Sequence, residues 1–301
     1  MKTHELCCIG HITLDKVITP EKSVHMPGGT AFYFSQAISR FNDIDYALVT
    51  ALGEPEMHVV NDLRLKSIEV SVVPSKHSVC FENIYGENQN DRTQRVTAKA
   101  DPFKTADLSG VEASIIHVGA LLADDFSLET IKYLSRKGLI SVDSQGYLRE
   151  VRDKNVYAVD WEDKLEALEY IHFLKANEQE MKILTGYREV TDAAKQLYDW
   201  GAKEVLITLG SLGSVIYDGR VFYRIPAYIT EKVTDATGCG DTYVTGYLYQ
   251  RAKGTEIEEA GCFAAAMSTL KIEESGPFKG SKEEVMHCMR TSTTRFPSIT
   301  G

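Results

Sequence analysis

The chain has 301 residues, 43% of them hydrophobic, with 33 basic against 43 acidic side chains and a net charge of -10. That length supports a full core, and the acidic balance without any Lys/Arg run disfavours nucleic acid as a general partner. The six cysteines, Cys7, Cys8, Cys80, Cys239, Cys262 and Cys288, form neither a C-x-x-C pair nor a metal spacing with histidine, so free thiols in a reducing cytoplasm are expected. The first ten residues carry one lysine and a short apolar run, which matches neither a signal peptide nor a membrane span.

In chain order, residues 6–10 read as a buried first strand, and residues 11–15 leave it with Asp15 at the end. Ligands of open α/β sheets sit outside the carboxyl ends of strands, so Asp15 is placed either to bond a polyol or to form a turn. Gly28 and Gly29 make a turn that permits close backbone approach, and residues 31–40 start a helix there. A strand at 46–53 and a helix at 57–65 follow. After them come strands at 115–119 and 139–143, with a helix at 128–134 between. This alternation predicts a mainly parallel sheet covered on both faces. Residues 78–99 break the pattern as a hairpin with a polar tip at 86–91, either a lid or an ordinary edge hairpin.

In the second half, residues 171–176 form a strand that ends at Asn177, with Glu180 three residues on. That pair is a capping-box pattern, and the same oxygens could hold the water shell of a Mg²⁺ ion on nucleotide phosphates. A strand at 205–209 runs into the turn of Gly210 and Gly213, and a hairpin turns at Asp218 and Gly219. The sequence from Asp235 to Asp241, Asp-Ala-Thr-Gly-Cys-Gly-Asp, then opens a helix through residue 252, followed by helices at 257–272 and 282–289. The free N–H groups and dipole of that helix suit a phosphate or an oxyanion. Locally, Asp241 is equally readable as a helix cap or as a base beside a phosphate. The chain contains no Gly-Lys dipeptide, which excludes a P-loop, and no G-x-G-x-x-G follows a strand.

The order of these motifs is more specific than any one of them. A Gly-Gly turn early, Asn-x-x-Glu after a middle strand, Thr-Leu-Gly-x-x-Gly after a later one, and Asp-x-x-Gly-x-Gly-Asp opening a C-terminal helix resemble the PfkB/ribokinase family of carbohydrate and nucleoside kinases. The resemblance spans essentially the whole chain and implies a ribokinase-like, doubly wound α/β domain over residues 1–301. It also implies a small β lid formed by residues 15–27 and 77–99. By the resemblance, Asp241 is the base that accepts the proton of the attacking hydroxyl, and the backbone of Gly238, Cys239 and Gly240 forms the anion hole. Thr208, Gly210 and Gly213 border ATP, Asn177 and Glu180 order Mg²⁺ through water, and Asp15, Gly28 and Gly29 bind substrate hydroxyls. A K⁺ ion near the anion hole, with contacts at Asp235 and Thr237, and pairing of two copies through their lids are further implications. The dipole of the helix should hold Asp241 at a low pKa.

Tyr33 replaces the asparagine of the family's Gly-Gly-x-x-x-Asn pattern, so a ring reshapes the acceptor pocket and ribose itself is disfavoured. Asp143, Gln145 and Arg149 are similar to an Asp-x-Gln-x-x-x-Arg run of the inositol-kinase-like branch, which places Asp143 and Gln145 on cyclitol or nucleoside hydroxyls. Cys239 at a helix N-terminus is either an alanine replacement or a thiol of lowered pKa. His11 and His117 read as packed histidines. The expected activity is ATP-dependent phosphorylation of a hydroxyl on a small sugar, cyclitol or nucleoside. The rival is a sensor on the same fold that binds a sugar or nucleotide without turnover.

Overall fold

The computed structural model describes residues 3–18, 23–85 and 92–298. The expected hairpin tip at 86–91, and residues 19–22 of the first expected lid segment, lie outside the described residues. The first half of the chain runs through β1 (His4–Gly10), β2 (Thr13–Ile18), β3 (Ser23–Gly28), α1 (Thr30–Ile38), β4 (Tyr46–Leu52), α2 (Met57–Leu65) and β5 (Glu69–Pro74). It continues with β6 (Cys80–Tyr85), β7 (Arg92–Ala98), β8 (Ala113–Gly119), α3 (Leu128–Leu134) and β9 (Leu139–Asp143). The second half holds β10 (Arg149–Arg152), β11 (Asn155–Ala158), α4 (Lys164–Leu168), β12 (Ile171–Asn177), α5 (Glu178–Thr185) and α6 (Val190–Asp199). After these come β13 (Glu204–Thr208), β14 (Ser214–Tyr217), β15 (Phe222–Ile225), β16 (Ala227–Tyr228), α7 (Cys239–Ala252), α8 (Ile257–Ile272) and α9 (Lys282–Thr291).

Among the described residues, nine strands form the main sheet in the order β15-β14-β13-β12-β9-β8-β1-β4-β5. The run from β13 to β5 is parallel, and β14 and β15 close one edge as an antiparallel hairpin. The buried apolar runs read from the sequence are what a sheet covered on both faces requires. Side chains alternate between its faces: Leu6 and Cys8 of β1 join one core with α1, α2, α7, α8 and α9. Cys7 and Ile9 join a second core with α3, α4, α5 and α6. No helix among the described residues is long and apolar enough to cross a membrane.

A second sheet of six strands has the order β10-β11-β7-β6-β2-β3. It combines the two segments anticipated at 15–27 and 77–99 with a third, β10 and β11, that the sequence reading did not anticipate. Val79, Phe81 and Val96 of this sheet region pack on Leu121 and Leu122, which follow β8 and connect the two sheets. On the β2 and β6 pair, Lys16 and Glu82 lie in register and form an ion pair at 3.0 Å. The carboxyl ends of β9, β12 and β13, the N-terminus of α7 and part of the second sheet face one region.

Candidate active site

Parallel register decides which side chains meet at the strand ends. Asn177 is paired with Thr208, and Lys175 with Asp143. The second pair forms a buried ion pair, with Lys175 Nζ 2.8 Å from Asp143 Oδ2 and both side chains 7% exposed. Burial alone would depress the lysine, yet Asp143 and Glu180 beside it hold its ammonium above the usual lysine range. Lys175 also stands against Gly240, so its charge adjoins the loop that opens α7. In the sequence Lys175 belongs to no motif and is one residue of the strand at 171–176.

Asn177 caps α5. Its Oδ1 accepts from the N–H groups of Gln179 at 2.8 Å and Glu180 at 2.9 Å, and Glu180 Oε2 accepts from the Asn177 N–H at 2.7 Å. The capping box is thus fully formed. Glu180 Oε1 also accepts from Asn177 Nδ2 at 2.6 Å. Burial pushes the Glu180 carboxyl upward, partly offset by Lys175.

The glycine loop before α7 is held by close contacts. Gly238 has φ 76°, and a Cβ there would lie 2.4 Å from the Tyr33 ring, so both the backbone conformation and the packing require glycine. Cys239 N–H donates to Ala236 O at 3.2 Å, so this member of the expected anion hole is engaged in a turn. The Cys239 thiol faces the carbonyls of Asp235 and Ser268, each 3.9 Å away. Burial pushes that thiol up to about 11, against the lowering effect of Lys271, which overturns the reading of an activated cysteine.

Asp241 is also corrected. Burial, with Asp143 nearby, raises its carboxyl to about 6, although a hydrogen bond to the Thr30 side chain and the charges of Lys175 and Arg149 favour ionisation. The helix dipole does not win, because desolvation of the part-exposed Asp241 carboxyl where it lines the site outweighs it. Thr30 starts α1 immediately after Gly29, whose φ of 83° makes the turn.

Two cavities meet at this loop. The larger, about 410 Å³, is walled by Tyr228, Ile229, Val233, Ala265 and Ile272, with Thr208, Gly210, Gly213 and Cys239 at its rim. The other, about 370 Å³, holds Asp15, Gln94, Asp143, Gln145, Arg149 and Lys175, together with Gly29, Tyr33, Asn177, Thr237, Gly238 and Asp241. Thr208, Gly210, Ala236 and Gly240 line both. Gly28 does not line the polar cavity; it lies behind the Asp15 carboxylate, which also accepts from Thr13 Oγ1 at 2.7 Å. Asp235 lines neither cavity and is tied to Lys271 instead. His117 is stacked on Phe34, and burial lowers it to about 4, so it is a neutral packed group.

A parallel sheet with an antiparallel edge, a second sheet over its strand ends and a glycine loop opening a helix beneath it define a ribokinase-like α/β kinase. One solved structure of this fold, a pyrophosphate-dependent kinase in the ribokinase family complexed with a pyrophosphate analog and myo-inositol, superposes with a TM-score of 0.82 at 26% identity. The match covers 94% of this chain and 99% of that one. The chain belongs to the pfkB family of carbohydrate kinases, whose model matches residues 3–283, and it is accordingly a phosphotransferase. A cytidine kinase of Thermococcus kodakarensis is 28% identical over 85% of this chain and 91% of its own length. A nucleoside kinase of Methanocaldococcus jannaschii is 24% identical over 91% of this chain and 92% of its own.

Proposed function

We propose that the protein transfers the terminal phosphoryl group of ATP to a hydroxyl of a small polyhydroxylated acceptor, a nucleoside first of all, with Asp241 as the base. The observation that carries this reading is the junction of an apolar cavity and a polar one at the loop that opens α7, with Asp241 in the polar one. The apolar walls suit a nucleotide base, and the carboxylates, amides and cationic groups of the other cavity suit several hydroxyls. A pyrophosphate donor would leave the apolar cavity without an occupant.

Phosphoryl transfer passes through a loose transition state, so positioning and charge stabilisation supply most of the rate. Asp15, Asp143, Gln145 and Arg149 would orient the acceptor, and Tyr33 would close its pocket against Gly238. Asp241 would take the hydroxyl proton as the new P–O bond forms. The free N–H groups at the start of α7 and the Lys175 ammonium would stabilise charge on the transferred group. Mg²⁺ fits the donor set: Asp143, Glu180 and Asp241 gather around Lys175 and Arg149, and burial holds Glu180 and Asp241 above their ordinary range, so further positive charge would be stabilising. Among the described residues no cluster of three or more His, Cys, Asp or Glu could hold an ion alone. Asn177 and Glu180 would therefore hold Mg²⁺ through water and donor phosphates, where it would neutralise phosphate charge.

A cyclitol acceptor is the second reading, favoured by Asp143, Gln145 and Arg149 lining one wall of the polar cavity. The test is ADP release with Mg-ATP over cytidine, other nucleosides, ribose and myo-inositol, with pyrophosphate as a parallel donor. A nucleoside should give the highest kcat/KM. Ligand binding by calorimetry without ADP release from any acceptor would favour the sensor and sink the proposal. Pairing of two copies belongs to the same reading, because β3 is an edge of the second sheet and exposes Val24. Light scattering should then give twice the chain mass, and a monomer would remove that part.

A further inference from the structure

The family resemblance brings a K⁺ ion to Asp235 and Thr237, and the residues present do not fit that ion. Lys271, in the last turn of α8, has a side chain that is 0% exposed, and its Nζ donates to the Asp235 backbone carbonyl at 2.7 Å. The same nitrogen stands 3.4 Å from Asp235 Oδ2. The remaining atoms of Asp235 are engaged too: Oδ1 accepts from the Thr237 N–H at 2.9 Å, and Oδ2 from the Gly276 N–H at 3.2 Å. A K⁺ ion sharing these oxygens would lie beside an enclosed ammonium, and two like charges in one buried place repel strongly.

A lysine near a helix C-terminus usually reaches into solvent, where it answers the helix dipole. Lys271 is enclosed instead, and a buried charge persists only when paired and hydrogen-bonded. Its partner is the first residue of the loop that carries Gly238, Gly240 and Asp241. The surrounding contacts fasten the same loop to the same helix end. Thr234 and Asp235 N–H groups donate to Ile272 O at 2.8 and 3.2 Å, and Ser268 Oγ donates to Cys239 O at 3.1 Å. Although burial pushes Asp235 upward, its hydrogen bonds from Thr237 and the Lys271 charge leave the carboxyl below its ordinary range.

We propose that the Lys271 ammonium is a built-in monovalent cation that fixes the Asp235 corner of the anion loop, so that phosphoryl transfer by this protein needs no K⁺. Lys271 is a positioning residue, since it lines neither cavity and acts on the reacting groups through the loop. The inference rests on the phosphotransferase reading, and its test has one arm that needs turnover and one that does not.

In the first arm, replacing K⁺ by tetramethylammonium should change the turnover of the wild-type enzyme by less than about twofold, whereas activation by K⁺ of about tenfold or more would overturn the proposal. The variant Lys271→Met should lose turnover and regain it with K⁺ or ammonium, a rescue that a purely structural lysine would not give. A folded Lys271→Met enzyme with wild-type turnover and no monovalent cation present would also overturn it. The second arm is thallium NMR on the wild-type protein without substrate. Absence of a saturable thallous-ion site supports the proposal, and saturable binding competed by K⁺ contradicts it. This arm stands even where the acceptor panel yields no turnover, so a wrong activity and a wrong cation assignment are told apart.

Discussion

A carboxylate in the first turn of a helix normally benefits from the dipole and the free N–H groups, which favour its ionised form. Asp241 occupies that position in α7, yet its enclosure between the loop, Asp143 and α1 raises it to about 6. The sign matters for the mechanism, because a base must be ionised to accept a proton. With the carboxyl held at about 6, kcat/KM should fall about tenfold per pH unit below that point and level off above it. A carboxylate held low by the dipole would instead give a flat profile down to about pH 4. The pH dependence of kcat/KM with a fixed acceptor therefore separates burial from dipole control. Asp241, Asn177 and Glu180 stand out in the chain as candidates, because each belongs to a motif of fixed spacing. Lys175 does not, since its contribution comes from the parallel register that sets it beside Asp143, and register is absent from a single strand's sequence. The expected low pKa of Asp241 does not hold, and the open choice for Cys239 falls to the inert thiol, for a related reason: a motif places a group at a helix terminus, but only the packed structure shows how much water it has lost.

At the scale of elements, the strands and helices of the main sheet follow from apolar runs and helical spacing, and α2 and α8 occur at the bounds the periodicity predicts. The strands β10 and β11 do not announce themselves. They are four residues each, carry one valine apiece toward the core of the second sheet, and are joined by Asp153 and Lys154 at φ 49° and 68°. Such a two-residue turn with positive φ is usually marked by Asn-Gly or Asp-Gly, and without glycine the signal is missing. The capping box of α5 carries a folding prediction. Asn177→Ala removes the acceptor for two N–H groups and should cost about 1 kcal/mol of stability, read as a lower urea midpoint at unchanged m. A midpoint equal to wild type would mean that Asn177 Oδ1 is not capping the helix. Glu180 would keep its backbone bond to residue 177, so the variant tests the cap rather than the whole box.

For the whole molecule, the decisive arrangement is that the polar cavity, walled partly by the second sheet, and the apolar cavity, walled by β16, α7 and α8, share a rim at Thr208, Gly210, Ala236 and Gly240. Donor and acceptor can then be bound together, and no nucleophilic side chain is needed to carry the phosphoryl group between them. Initial rates over both substrates should give intersecting double-reciprocal lines. Parallel lines, the pattern of a phosphoenzyme intermediate, would contradict direct transfer. The most direct test of the account is the turnover of Asp241→Asn, measured with the best acceptor of the panel alongside its ATP dissociation constant. The account predicts a kcat lower by about 10²–10⁴ with ATP affinity close to wild type, because the substitution removes proton acceptance and leaves the apolar cavity intact. A variant that retains near-normal kcat would contradict the assignment of Asp241 as the base.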